Sequence, residues 1–344
     1  MKKLTVLFFL CIIPFIANAT ISEMSFGKWN IKFDDETKRA EFVKEGVTVL
    51  KDVKIKFKNG DVLLDASSYN SVKIKQEDIV DEVGKARKFT IEYTGSENSD
   101  NPIVYQNFYL YDGQDYFLTD VILQSPDNSI ISSNYIAPIS TEADNLFLPA
   151  DVNNRFITVP FDNDGFITYA SYPLSCSQTD PEALAIGRVA RDSVSMEVSA
   201  IFNGETQLGL VIGSVDHDTW KSAVRITGSP LAQGKITNLE CFSGVTHHIT
   251  RDMIDGVLKP HGAVKGQQVK SARMIVHYSG DWRTGLETFG DVCCAIAPKR
   301  SWDKPAPYGW SSWGGMGTEI SYDGVVSVSD FIKENIQNKG GFGD

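Results

Sequence analysis

Pro307-Tyr308-Gly309-Trp310-Ser311-Ser312-Trp313 is the stretch whose reading decides the fold. Two tryptophans three residues apart stand with a glycine and two serines, just after the proline-rich run Lys304-Pro305-Ala306-Pro307. An indole carries a broad apolar face and one polar edge. Two of them beside hydroxyls make a flat platform for the C–H side of a sugar ring, with hydrogen-bonding groups within reach of its hydroxyls. The plain alternative is a pair of core tryptophans. Tyr308 to Trp313 itself reads as a short buried strand.

Downstream, residues 314–326 read as a glycine-rich loop carrying Glu319, Tyr322 and Asp323. Ser327, with Asp330 three residues on, is placed to cap a helix whose apolar face is Val328, Phe331, Ile332 and Ile336 and whose end is Gly340-Gly341. That is one β–loop–α unit. A parallel strand needs neighbours on both edges and helices over its faces, so the expectation is the N-terminal part of a longer protein.

Upstream, Trp282, Leu286, Phe289, Cys293 and Ile296 recur at spacings of four and three, one face of a helix that Pro298 stops. Residues 281–307 are therefore a helical connector and linker. Between 20 and 280 the period changes to two. Trp29, Ile31 and Phe33 alternate with polar residues, as do Val53, Ile55 and Phe57 with Lys54, Lys56 and Lys58, before Asn59-Gly60 turns the chain into Val62-Leu63-Leu64. Phe89 to Tyr93, Tyr105 to Tyr111 and, past Asp112-Gly113, Tyr116 to Leu123 repeat this grammar. So do Ser195 to Phe202, Gln207 to Ser214, Ala223 to Thr227 and Arg273 to Tyr278. The fold class is mainly β: a large antiparallel β-sandwich over residues 20–280.

Residues 1–19 have the form of a signal peptide: Lys2 and Lys3, an apolar run from Leu4 to Ile16, then Ala17-Asn18-Ala19. The run is too short for a stable anchor. Cleavage after Ala19 and a secreted protein, periplasmic or extracellular, are expected. The formal net charge is −11, two units more negative without Lys2 and Lys3. Such acidity argues against nucleic acid and anionic membranes as partners. Cys176, Cys241, Cys293 and Cys294 are too few for a disulfide scaffold and have no zinc spacing. A Cys176–Cys241 bridge is conceivable, and buried free thiols are the preferred reading. His247-His248 and Asp216-His217-Asp218 read as solvated turns, and His277 as a half-buried packing residue. Lys54 to Lys58 read as an outward sheet face. No metal site, cofactor motif or nucleophile elbow is read from the chain.

A sandwich, a helical connector beginning Gly280-Asp281-Trp282, then Gly309-Trp310-x-Ser312-Trp313: this order resembles the α-galactosidase (melibiase-like) glycoside hydrolases of families 27 and 36, where the motif usually reads Gly-Trp-Asn-Ser-Trp. The motif match covers seven residues and the domain order the whole chain, and the resemblance implies that residues 308–344 open an incomplete (β/α)8 catalytic barrel. Ser311 stands where the family has Asn, and Gly314-Gly315 where bulkier residues are common. The resemblance implies retaining hydrolysis of terminal α-linked galactose or a related sugar on an oligo- or polysaccharide, without a cofactor, and with Trp310, Trp313 and Ser312 as substrate-binding residues in the glycone subsite. Retaining chemistry uses two carboxylates about 5–5.5 Å apart, which the family draws from later barrel strands. The catalytic pair is thus expected beyond residue 344, with this stretch inactive alone, and Asp303, Glu319 and Asp323 read as surface charge. α-N-acetylgalactosaminidase and raffinose-synthase-type transglycosylase activities fit the same pattern. The reading from another class is a non-catalytic carbohydrate-binding β-sandwich.

Overall fold

A computed structural model describes residues 21–142, 148, 151–159, 170–174, 193–228, 235–244, 262–304 and 309–336. The signal-peptide reading, His247-His248, Cys176, Tyr308 and Gly340-Gly341 lie outside the described residues. The chain divides into two compact units, Met1–Ala297 and Pro298–Asp344.

The first unit opens with β1 (Ile21–Phe26), β2 (Trp29–Asp34), β3 (Arg39–Lys44), β4 (Val47–Asn59) and β5 (Val62–Asp65). A long meander follows: β6 (Tyr69–Val80), β7 (Lys85–Ser96), β8 (Ile103–Tyr111) and β9 (Tyr116–Gln124). The next strands are β10 (Ile131–Ser133), β11 (Ile136–Glu142), β12 (Asn154–Thr158), β13 (Ala170–Pro173), β14 (Ser193–Met196) and β15 (Val198–Asn203). The last are β16 (Gly209–Ser214), β17 (Ser222–Gly228), β18 (Ile236–Ser243), β19 (Val264–Gly266), β20 (Gln268–Lys270) and β21 (Met274–Ser279). The two hairpin turns read from Asn59-Gly60 and Asp112-Gly113 are present, and both glycines sit in the left-handed region that such turns require, at φ +60° and +68°.

Among the described residues, one sheet runs β1-β2-β3-β4-β11-β18-β17-β14 with β5 on β4. The other runs β13-β12-β15-β16-β21-β9-β8-β7-β6 with β20 on β9, and β10 pairs with β19 apart. Every described pairing is antiparallel. The sheets close on one apolar core, because period-two alternation gives each an apolar inner face. Trp29 of β2 and Phe42 of β3 meet Phe117 of β9 edge-on, with centroids 4.8 and 5.1 Å apart. Phe33 meets Tyr93 of β7 at 6.0 Å. This is the sandwich expected from the alternation.

Ser195 to Phe202 is not the single strand expected. At Glu197 the backbone turns left-handed, φ +61°, and the chain passes from β14 in one sheet to β15 in the other. The Glu197 N–H donates to the Ser222 carbonyl at 2.9 Å, and its own carbonyl accepts from Ser214 N–H at 2.8 Å. Those two bonds hold a conformation that costs a non-glycine residue free energy. Gly213 makes the crossover possible, since a Cβ there would lie 2.5 Å from the Glu197 carbonyl oxygen.

The connector helix is present as α1 (Trp282–Ile296), with the Asp281 carboxylate accepting from Arg283 N–H as its cap. Its predicted face packs on the outer side of the second sheet. The Trp282 ring stacks on Phe202 at 4.3 Å, and Phe289, Cys293 and Ile296 lie against Leu118, Val215 and Ile275. Gly285 brings the helix closest, for a Cβ there would meet Val211 at 2.7 Å and His277 Nδ1 at 2.8 Å. His277 is accordingly buried, 2% exposed, rather than half-buried as read from the sequence.

Candidate functional site

In the second unit the expected strand is absent among the described residues. Gly309 to Ser311 are followed by a short helix α2 (Ser312–Met316), a 3-10 turn Gly317–Glu319 and a longer helix α3 (Tyr322–Asn335). The physical reason is hydrogen bonding. A lone parallel strand would leave its backbone groups unpaired, whereas a helix closes them within the segment. Ser311 Oγ accepts from Gly314 N–H at 3.4 Å and Ser321 Oγ from Gly324 N–H at 3.1 Å, so serine caps start both helices. The glycine-rich loop expected over 314–326 is therefore mostly helical. Ser327, expected as the cap, lies inside α3. Asp323 falls in the first turn of α3 and Lys333 in its last, complementing the helix dipole.

Neither tryptophan is buried among the described residues. Trp310 is 39% exposed and Trp313 is 72% exposed, and α2 buries no residue. Trp313 projects from the first turn of α2. The Trp310 indole lies against Gly315, where a Cβ would sit 2.9 Å from Nε1 and 3.1 Å from Cζ2. A side chain at position 315 would displace the ring. Ser311 is exposed, and its hydroxyl accepts from Gly314 N–H as the α2 cap. Ser312 stands half-buried on the first turn. Sequence reading passed over Trp302, which is 64% exposed just ahead of the proline run. Three tryptophans within a dozen residues was the signal that could have included it.

The first unit carries the other candidates. Asp216 is not a solvated turn. Arg273 donates to it from its backbone N–H at 2.9 Å and from its guanidinium at 2.8 to 3.1 Å, and Arg273 also pairs with Glu82. Burial pushes the Asp216 carboxyl up, and the Arg273 bonds outweigh it, holding the group below the usual carboxylate range. His217 reaches towards Cys293, with Nε2 to Sγ at 3.7 Å, and towards Glu197 Oε1 at 3.9 Å from Nδ1. Burial and the acids nearby push the Cys293 thiol up to about 11, so the sulfur rests protonated. Cys241 is a buried free thiol, and Cys294 is exposed and free. Lys54 and Lys56 lie 3.4 and 3.5 Å from Glu142, so that face is paired rather than open to a polyanion. Among the described residues no three His, Cys, Asp or Glu side chains are placed to hold a metal.

No family model matches the chain, and no curated protein matches it in sequence. Among solved structures it is similar to an α-N-acetylgalactosaminidase from Bifidobacterium bifidum, with 9% identity and TM-score 0.48, over 80% of this chain and 39% of that one. It is similar also to an α-galactosidase from Geobacillus stearothermophilus, with 10% identity and TM-score 0.47, over 92% of this chain and 48% of that one. A putative aldose 1-epimerase from Escherichia coli K12 aligns with 10% identity and TM-score 0.42, over 76% of this chain and 99% of that one. The chain spans less than half the length of the two glycosidases. Likeness this loose carries no argument about activity, which has to stand on the residues.

Proposed function

We propose that this chain is the N-terminal portion of a secreted glycosidase that hydrolyses terminal α-linked galactose or a related sugar with retention, and that Trp310 and Trp313 form the aromatic wall of its sugar subsite. The observation that supports the reading is exposure. The Gly-Trp-x-Ser-Trp segment follows a sandwich and its connector helix, yet it presents its indoles outward instead of burying them. Two neighbouring exposed rings make a surface that a ligand or a further part of the protein covers, and the serine beside them favours the ligand. Trp313 offers a ring face, Trp310 is steadied by Gly315, and Ser312 is the hydroxyl beside them. The nucleophile and the acid/base are assigned to no residue of this chain. Asp323 is explained by the α3 dipole, and Glu319 ends a 3-10 turn.

The test is hydrolysis of an aryl α-galactoside by the native gene product. Wild type turns it over with retention. Trp310→Ala lowers kcat/KM about ten- to a hundredfold, the loss of about 1–3 kcal/mol of transition-state interaction, with little change in thermal midpoint. Absence of turnover would favour the non-catalytic sugar-binding sandwich. A large loss of stability with unchanged kinetics per folded molecule would remove the sugar role of Trp310.

A further inference from the structure

A cleft of about 440 Å³ opens on the first unit, within the range of small-ligand sites at about 300–1,000 Å³. One wall is the loop after β16, with Asp216, Asp218, Thr219 and Trp220. The other runs from the end of β20 to the start of β21, with Lys270 and Arg273, and the last turn of α1 closes the end. Every described residue that lines it belongs to the first unit.

The two cations are anchored from behind. Lys270 Nζ lies 3.2 Å from Oδ2 of Asp120, a fully buried carboxylate that also accepts from Asn107 Nδ2 at 2.7 Å and from the Tyr109 hydroxyl at 3.0 Å. Arg273 is forked onto Asp216 and braced by Glu82. Asp216 and Asp218 balance the two cations in the lining, and Asp120 and Glu82 behind them make the surround net acidic, which disfavours an anionic ligand. The Trp220 indole N–H donates to the Lys270 carbonyl at 2.7 Å, which fixes that largely buried ring, 7% exposed, with one edge at the cleft wall. Three kinds of group face the space: an exposed carboxylate that accepts, an ammonium that donates from a fixed position, and the Thr219 hydroxyl that does both. Beside them lies a small apolar patch of Ile296 and Ala297 with the edge of Trp220.

We propose that this cleft binds a neutral pyranoside. Ligand hydroxyls donate to Asp218 and accept from Lys270, the ring's C–H face meets the apolar patch, and the acidic surround rejects carboxylated or phosphorylated sugars. The inference uses none of the tail's tryptophans and goes beyond the glycosidase reading.

The indole N–H resonance of Trp220 reports on the cleft. Adding methyl α-D-galactopyranoside or methyl α-D-glucopyranoside to the chain should shift it saturably, with millimolar affinity. Asp218→Asn should weaken that shift about tenfold while the thermal midpoint stays put, since Asp218 is exposed. Trp310→Ala should leave the Trp220 shift unchanged, which separates this site from the reading above. Galacturonate should bind more weakly than the neutral sugars. No saturable shift up to about 100 mM sugar, a shift indifferent to Asp218→Asn, or tighter binding of galacturonate would each overturn the proposal.

Discussion

At the scale of single residues, His277 is the most informative. It sits beneath α1 with Nδ1 lacking a hydrogen-bond partner. Burial pushes its imidazole down to about 4, Asp115 opposing and Lys44 and Lys28 reinforcing the shift. The unfolded chain takes up this proton near the ordinary histidine value of about 6.5, while the folded chain refuses it until about 4. Stability from this group is therefore complete above about 6.5 and is lost as pH falls towards 4, a total of about 3 kcal/mol. Carboxylates held low by their partners, Asp216 and Asp115 among them, lose theirs only at lower pH. Thermal midpoints from about pH 7.5 to 4.5 should fall steadily in wild type and fall distinctly less in His277→Gln. Equal slopes would mean that the ring is not held neutral.

At the scale of elements, the crossover at Glu197 and the docking of α1 decide how the sandwich is assembled. Gly213→Ala would push a Cβ into the Glu197 carbonyl and Val198. The expected cost is about 1–3 kcal/mol, read as a lower denaturant midpoint, and an unchanged midpoint would show that the crossover relaxes freely. Sequence alone made much of this level legible. Alternation placed β2, β4, β8 and β9, the Asn-Gly and Asp-Gly pairs placed their turns, and spacings of four and three placed the packing face of α1. Alternation runs unbroken through Met196-Glu197-Val198, however, and nothing in it marks a left-handed residue that sends β14 and β15 to different sheets. The Trp310 segment misled for another reason. Small and apolar residues suit a strand only where neighbouring strands exist, and with none described the serine caps draw the segment into helices. The cleft beside Lys270 was invisible to sequence because its walls come from positions some fifty residues apart.

At the scale of the molecule, a sandwich with its own core is followed by a tail whose described helices bury nothing. Export is proposed from the sequence of residues 1–19. N-terminal sequencing from the native host should begin at Thr20, and a cytoplasmic product retaining Met1 would count against export. The central claim is that the exposed tryptophans of the tail recognise an α-linked galactose. Its most direct measurement is the titration of the chain with methyl α-D-galactopyranoside while the indole resonances of Trp310 and Trp313 are followed. The account predicts saturable shifts at both, abolished by Trp313→Ala and reduced by Gly315→Ala, which displaces the Trp310 ring. Tryptophan resonances that stay still while the sugar is demonstrably turned over or bound elsewhere would contradict it.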